Sequence, residues 1–165
     1  LLVPGCETVG IKLWGKNFEA KALVTPPHAT KIGDVAGLAD GWVKWSLSDP
    51  AVSPFAAAMR ADVALASLQK TRFILKYSLD TGVPHEVPAD AYPAEGCNAE
   101  LTAIQFGGHP WWTIGLEAFG PGASNEQTLL SAAARFFSDG APHCLDVEQS
   151  GSYPAWLARR AAALR

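Results

Sequence analysis

The sequence predicts an α+β domain built on an antiparallel sheet, and three observations carry that prediction. Short segments of apolar–polar alternation recur along the chain, as half-buried strands require. Three segments rich in Ala open on a serine, as capped helices do. Fifteen Gly and twelve Pro in 165 residues supply the many turns that such short elements need.

Ile11 to Trp14 and Phe18 to Leu23 both alternate, and Gly15-Lys16-Asn17 between them reads as the loop of a β-hairpin. Thr25-Pro26-Pro27-His28 is expected to end the second strand, because proline donates no ladder hydrogen bond. The Gly/Ala/Asp-rich stretch 28–41 reads as loop, and Gly41 to Leu47 as a third strand. Ser53 caps and Pro54 opens a helix from Phe55 to about Gln69. Thr71 to Tyr77 is a fourth strand. Residues 80–96 read as loop with a short edge strand near Glu86-Val87. Cys97 to Ile104 and Trp111 to Phe119 form a fifth and a sixth strand around the turn Gly107-Gly108-His109-Pro110. Ser124-Asn125-Glu126-Gln127 has the pattern of a capping box before a helix running to about Ser138. Ser152 caps a last helix from Tyr153 to about Leu164, with Arg159, Arg160 and Arg165 at its negative end. With no internal repeat and no long linker, the chain reads as one domain, 1–165.

Composition narrows the partners. Thirteen Lys+Arg against sixteen Asp+Glu give a net charge of −3, which argues against wrapping bulk nucleic acid. No apolar run reaches the roughly 20 residues of a spanning helix, so no membrane is expected. Cys6, Cys97 and Cys144 are odd in number and widely spaced, without a CxxC, and read as reduced thiols. The first residues lack the pattern of a signal peptide, and a cytoplasmic protein is expected.

Alternation gives every strand one apolar face and one charged face. Lys12, Lys21, Lys44, Lys70, Arg72 and Lys76 lie in or beside strands, with Glu19, Glu100 and Glu117 on the charged faces. Such a face has two readings. It keeps a one-layer sheet soluble, or it lines the concave side of a strongly curved sheet. There, cations neutralise phosphate oxygens and carboxylates hold a divalent metal.

Gly10 to Lys21, with its basic strand and following "TLK"-like strand, resembles the paired strands of the CYTH-type triphosphate tunnel superfamily, and more closely its divergent bacterial members. Lys70-Thr71-Arg72 resembles the later K-x-R strand of that family. Asn98-Ala99-Glu100 and Leu116-Glu117-Ala118 resemble its closing acidic strands, and Ser152 to Leu157 its tail helix. The resemblance implies a barrel of antiparallel strands with about three helices packed outside. It implies binding, or metal-dependent hydrolysis, of a triphosphate or another phosphorylated polyanion. Lys12, Lys21, Lys44, Lys70 and Arg72 would face phosphates. Glu100 and Glu117 would act at the reacting phosphoryl group, and with Glu19 would face Mg²⁺ or Mn²⁺. No organic cofactor is implied. The chain has no E-x-E-x-K strand, the signature of the family, which lies either upstream of Leu1 or not in this protein at all. Trp14 stands where a phosphate-binding arginine is expected, and Leu116-Glu117-Ala118 has one acid where two are usual.

Other motifs point to structure. His28, His85, His109 and His143 are scattered over Pro/Gly loops without metal-ligand spacing. Gly120-Pro121-Gly122-Ala123-Ser124 lacks the lysine of a P-loop, and Gly151-Ser152-Tyr153 is no nucleophile elbow. The alternative function is a non-catalytic barrel that binds a small ligand or a partner protein. Lys and Glu paired with one another favour that alternative; unpaired lysines beside free carboxylates favour the phosphate enzyme.

Overall fold

A computed structural model describes residues 6–14, 17–48, 68–121, 124–142 and 145–163. They form an α+β fold with seven strands in two antiparallel sheets and two α-helices. The chain divides into two compact units, one holding a three-stranded sheet and the C-terminal helix, the other a four-stranded sheet and its helix. Among the described residues the strands close into no barrel. The helix expected from Phe55 lies outside the described residues, except that Gln69 is the first residue of a strand.

The three-stranded sheet is built from β1 (Val9–Trp14), β2 (Asn17–Ile32) and β3 (Val35–Ser48), in the order β1-β2-β3, and all but its Lys31–Val35 tip belongs to the first unit. The expected hairpin forms, with Val9 opposite Ala22 and Trp14 opposite Asn17. β2 does not stop at Pro26-Pro27, and the stretch 28–41 is strand on both sides of the Gly33-Asp34 turn rather than loop. The pairing with β1 ends at Val9 and Ala22, followed by one bond from the Leu23 N–H to the Thr8 carbonyl. Beyond that point no described strand pairs with this edge of β2, and proline is tolerated where the ladder needs no donor. Ile32 turns into Val35 through Gly33-Asp34, with Gly33 at φ +58°, the left-handed geometry that tight hairpins use.

α2 (Tyr153–Ala163) closes the described chain and buries Pro154 and Leu157. Ser152 caps it as expected: its hydroxyl accepts from the Ala155 N–H at 3.4 Å and its carbonyl from the Trp156 N–H at 2.9 Å.

The second unit holds β4 (Gln69–Ser78), β5 (His85–Val87), β6 (Gly96–Phe106) and β7 (His109–Phe119), in the order β5-β4-β6-β7. Gly107 and Gly108 both take positive φ, as the two-residue turn between β6 and β7 demands. α1 (Asn125–Phe136) lies on one face of the sheet. Tyr77, Leu79, Cys97, Ala99 and Ala132 form a buried cluster there, and Leu116, Ala118, Leu129 and Phe136 pack around it. Each large apolar side chain so buried contributes roughly 1.5–3 kcal/mol.

Ser124 is the N-cap of α1, but it makes no side-chain cap bond, so the expected capping box is not formed. Its hydroxyl donates instead to Glu95 Oε1 at 2.8 Å and to the Pro121 carbonyl at 3.1 Å. Thr128, one turn into the helix, donates to the same Glu95 oxygen at 2.5 Å. A carboxylate just ahead of β6 thus ties the helix to its sheet.

Candidate functional site

Cross-strand partners point to the same side of a sheet, so register decides which charged residues share a face. In the first unit Lys12 is opposite Glu19, and Lys21 is opposite Gly10. The Lys21 stem packs against the space left by Gly10, where an added Cβ would lie 3.1 Å from Lys21 Cγ. Its ammonium sits over the Trp42 ring, 4.7 Å from the centroid. Such a contact is worth about 0.5–1 kcal/mol at an exposed site. Alternation places Lys44 on the face of Trp42. Lys12, Glu19, Lys21 and Lys44 therefore share one face of the three-stranded sheet.

In the second unit Lys70 pairs with Ile104, Arg72 with Thr102, Ile74 with Glu100 and Lys76 with Asn98. Across β6, Thr102 pairs with Thr113, Glu100 with Gly115 and Asn98 with Glu117. Lys70, Arg72, Glu100 and Glu117 therefore share one face, opposite to the face that α1 covers. The eight residues expected to form one site are thus divided four and four between two sheets.

Contacts on the second face are specific. Arg72 Nη1 donates to Glu100 Oε1 at 3.1 Å, with the arginine half-exposed and the glutamate side chain 16% exposed. A pair of this kind is worth about 0–1 kcal/mol, because water screens it. Lys76 turns away from Asn98: its ammonium donates to the Ala91 carbonyl at 2.7 Å and lies 5.4 Å from the centre of the Tyr92 ring. Asn98 Oδ1 and Thr102 Oγ1 are buried without a hydrogen-bond partner. Thr102 is 1% exposed. Leaving a buried hydroxyl unsatisfied costs about 1–3 kcal/mol.

Gly115 stands opposite Glu100 on β7. A side chain added there would meet nothing within 4 Å, so the face has an open dip beside the glutamate. Lys12, Lys44, Lys70 and Glu117 are also engaged by other groups. Among the described residues no three His, Cys, Asp or Glu side chains gather closely enough to hold a metal. Glu19 lies on the other sheet from Glu100 and Glu117.

No family model, curated protein or solved structure matches the chain. Function therefore has to be read from the site itself. Sequence alternation already placed Asn98 and Thr102 on the face of Glu100, but it singled out the charged residue alone. Nothing in a linear pattern marks which polar side chains lose their partners on folding.

Proposed function

We propose that the chain is a non-catalytic binding module that holds a small phosphorylated ligand on the polar face of the four-stranded sheet. The observation that carries this reading is the half-exposed Arg72 guanidinium, held 3.1 Å from Glu100 on this face. Arg72 and Lys70 are neighbours on one face of β4 and offer a guanidinium and an ammonium to phosphate oxygens.

The charges expected to drive catalysis are engaged with partners. Glu100 is held by Arg72, which reduces its fitness to orient water or to bind a metal. Glu117 alone falls short of the carboxylate set that a resident Mg²⁺ or Mn²⁺ would use. The resemblance to triphosphate-binding proteins agrees with a phosphate ligand.

Thermal unfolding with tripolyphosphate tests the reading. A millimolar concentration should raise Tm through binding to the native state, with and without Mg²⁺, and added salt should weaken the effect. Arg72→Ala should abolish the shift, whereas Lys12→Ala, on the other sheet, should leave it. A shift that survives Arg72→Ala, or no shift at all, rejects this site.

A further inference from the structure

β7 ends the four-stranded sheet, and among the described residues no strand pairs with its outer edge. The ladder fixes which backbone groups that edge presents. The Leu79 N–H donates to the Glu95 carbonyl, so odd-numbered residues of β6 bond β4 and even-numbered ones bond β7. The turn at Gly107-Gly108 agrees, since a two-residue turn closes on a hydrogen-bonded pair, here Phe106 with His109. Pro110, Trp112, Ile114, Leu116 and Ala118 of β7 therefore turn their backbone groups outward, and Pro110 sits where β6 asks for no N–H.

Sheet edges are normally blunted by lysine, by a bulge or by short length. β7 runs for eleven residues in unbroken register with β6, holds no lysine, and has Glu117 as its one charge. Pro110 guards only the end nearest the turn. The outward-bonding residues also share the face on which α1 lies, and that face is unevenly covered. Leu116 and Ala118 pack with Leu129, Ala132 and Phe136 of the helix. Toward the other end of the strand Trp112 is 51% exposed and Phe73, two strands away, 65%. Phe73 pairs with the exposed Leu101, and Trp112 lies diagonally beside Leu101, so the three make one apolar patch.

An edge covered at one end and bare at the other fits a copy of itself. Antiparallel pairing about Ile114 sets Ile114 against the partner's Ile114, Trp112 against the partner's Leu116 and Thr113 against the partner's Gly115. A Cβ at Gly115 meets nothing within 4 Å, so the threonine has room. Glu117 then stands opposite the partner's Trp111 and about 20 Å from the partner's Glu117, so no like charges meet. Because the strands run in opposite directions, the bare Trp112 end of each sheet lies beside the helix-covered end of the other. Trp111, Thr113 and Glu117 point to the opposite face and keep the groups that already engage them. We propose that the outer edge of β7 pairs with that of a second copy of the chain, a two-fold dimer that joins two four-stranded sheets into one. The interface uses the edge and the α1 face, and the phosphate reading, which uses Lys70 and Arg72 on the opposite face, has no part in it.

Sedimentation equilibrium and hydrogen exchange of the whole chain test it. The mass should approach twice 17.5 kDa as concentration rises. The amides of Trp112, Ile114 and Leu116 should exchange slowly in the dimer and fast on dilution. Trp112→Lys sets an unpaired charge against the partner's Leu116 and should raise the dissociation constant about tenfold or more. Ile114→Pro removes an outward N–H without breaking a bond to β6 and should abolish the dimer. Phe73→Lys, on the same face but two strands from the edge, should leave the dimer intact. A monomer at every concentration, a dimer whose three amides exchange as fast as in the monomer, or a dimer that survives both β7 variants overturns the proposal. Loss of the dimer in Phe73→Lys overturns it too, because copies would then be stacking through the bare face rather than pairing along the edge.

Discussion

Two cysteines of the described chain sit in opposite environments, and their reactivity should differ accordingly. Burial pushes the Cys97 thiol up to about 12, because a thiolate would lose its solvation inside the cluster under α1. Cys6 is half-exposed, and its hydrogen bonds with Thr8 lower its pKa, the side-chain contact being 3.7 Å. In a Cys144→Ser background, a thiol reagent at pH 8 should label Cys6 in the native protein and reach Cys97 only after unfolding. Rapid native labelling of Cys97 would contradict the buried cluster. Gly96 is a second residue whose environment is exacting. A Cβ there would run into the Tyr77 carbonyl oxygen and the Phe119 ring, which lies 2.8 Å away. Gly96→Ala should cost about 1–3 kcal/mol through overpacking, measured by denaturant unfolding. An unchanged midpoint would mean that the strands yield more easily than their packing suggests.

At the level of elements, α1 is attached by an acid that is not part of it. The hydroxyls of Thr128 and then Ser124 hold the Glu95 carboxyl below its usual pKa of 4.5. The sign follows from linkage. A group whose pKa is depressed on folding stabilises the native state above its unfolded value, and that contribution is lost as pH falls through the folded value. Stability should therefore begin to fall below about pH 4.5, and Glu95→Gln should flatten this part of the profile. If the Tm profiles of wild type and Glu95→Gln are parallel from pH 6 to pH 3, the carboxylate does not hold the helix. β2 shows a complementary lesson. Its prolines predict a stop, yet the strand continues from Asn17 to Ile32, and among the described residues its pairing with β1 ends at Ala22, before the prolines.

For the molecule as a whole, burial is unevenly shared. Of the eleven buried apolar side chains among the described residues, eight lie between Tyr77 and Ala133, and the other three are Ala39, Pro154 and Leu157. The second unit thus carries a core of its own, with a helix over one sheet face. A fragment spanning 68–145 should unfold cooperatively on heating and show dispersed amide resonances. A gradual, non-cooperative melt would show that this core needs the rest of the chain. The binding reading also makes a prediction for the intact chain. Phosphate release from tripolyphosphate or ATP, with Mg²⁺ or Mn²⁺, should stay at the background rate. Rapid metal-dependent release would return Glu100 and Glu117 to catalytic roles.

The sequence by itself determined the class of fold, most of the strands, the helix capped by Ser152 and the sharing of faces within each sheet. These depend on period-two alternation and on local turn and cap chemistry, which neighbouring residues specify. Lys12 with Glu19, and Arg72 with Glu100, were legible as same-face residues for that reason. What only the tertiary structure decided was partnership. Alternation does not say that the described strands divide between two sheets, with four of the expected site residues on each. Nor does it say that Ser124 turns to Glu95, that Lys21 covers Trp42, or that Thr102 is buried without a partner. Each of these rests on contacts between residues distant in sequence, whose geometry is fixed by packing rather than by any local pattern.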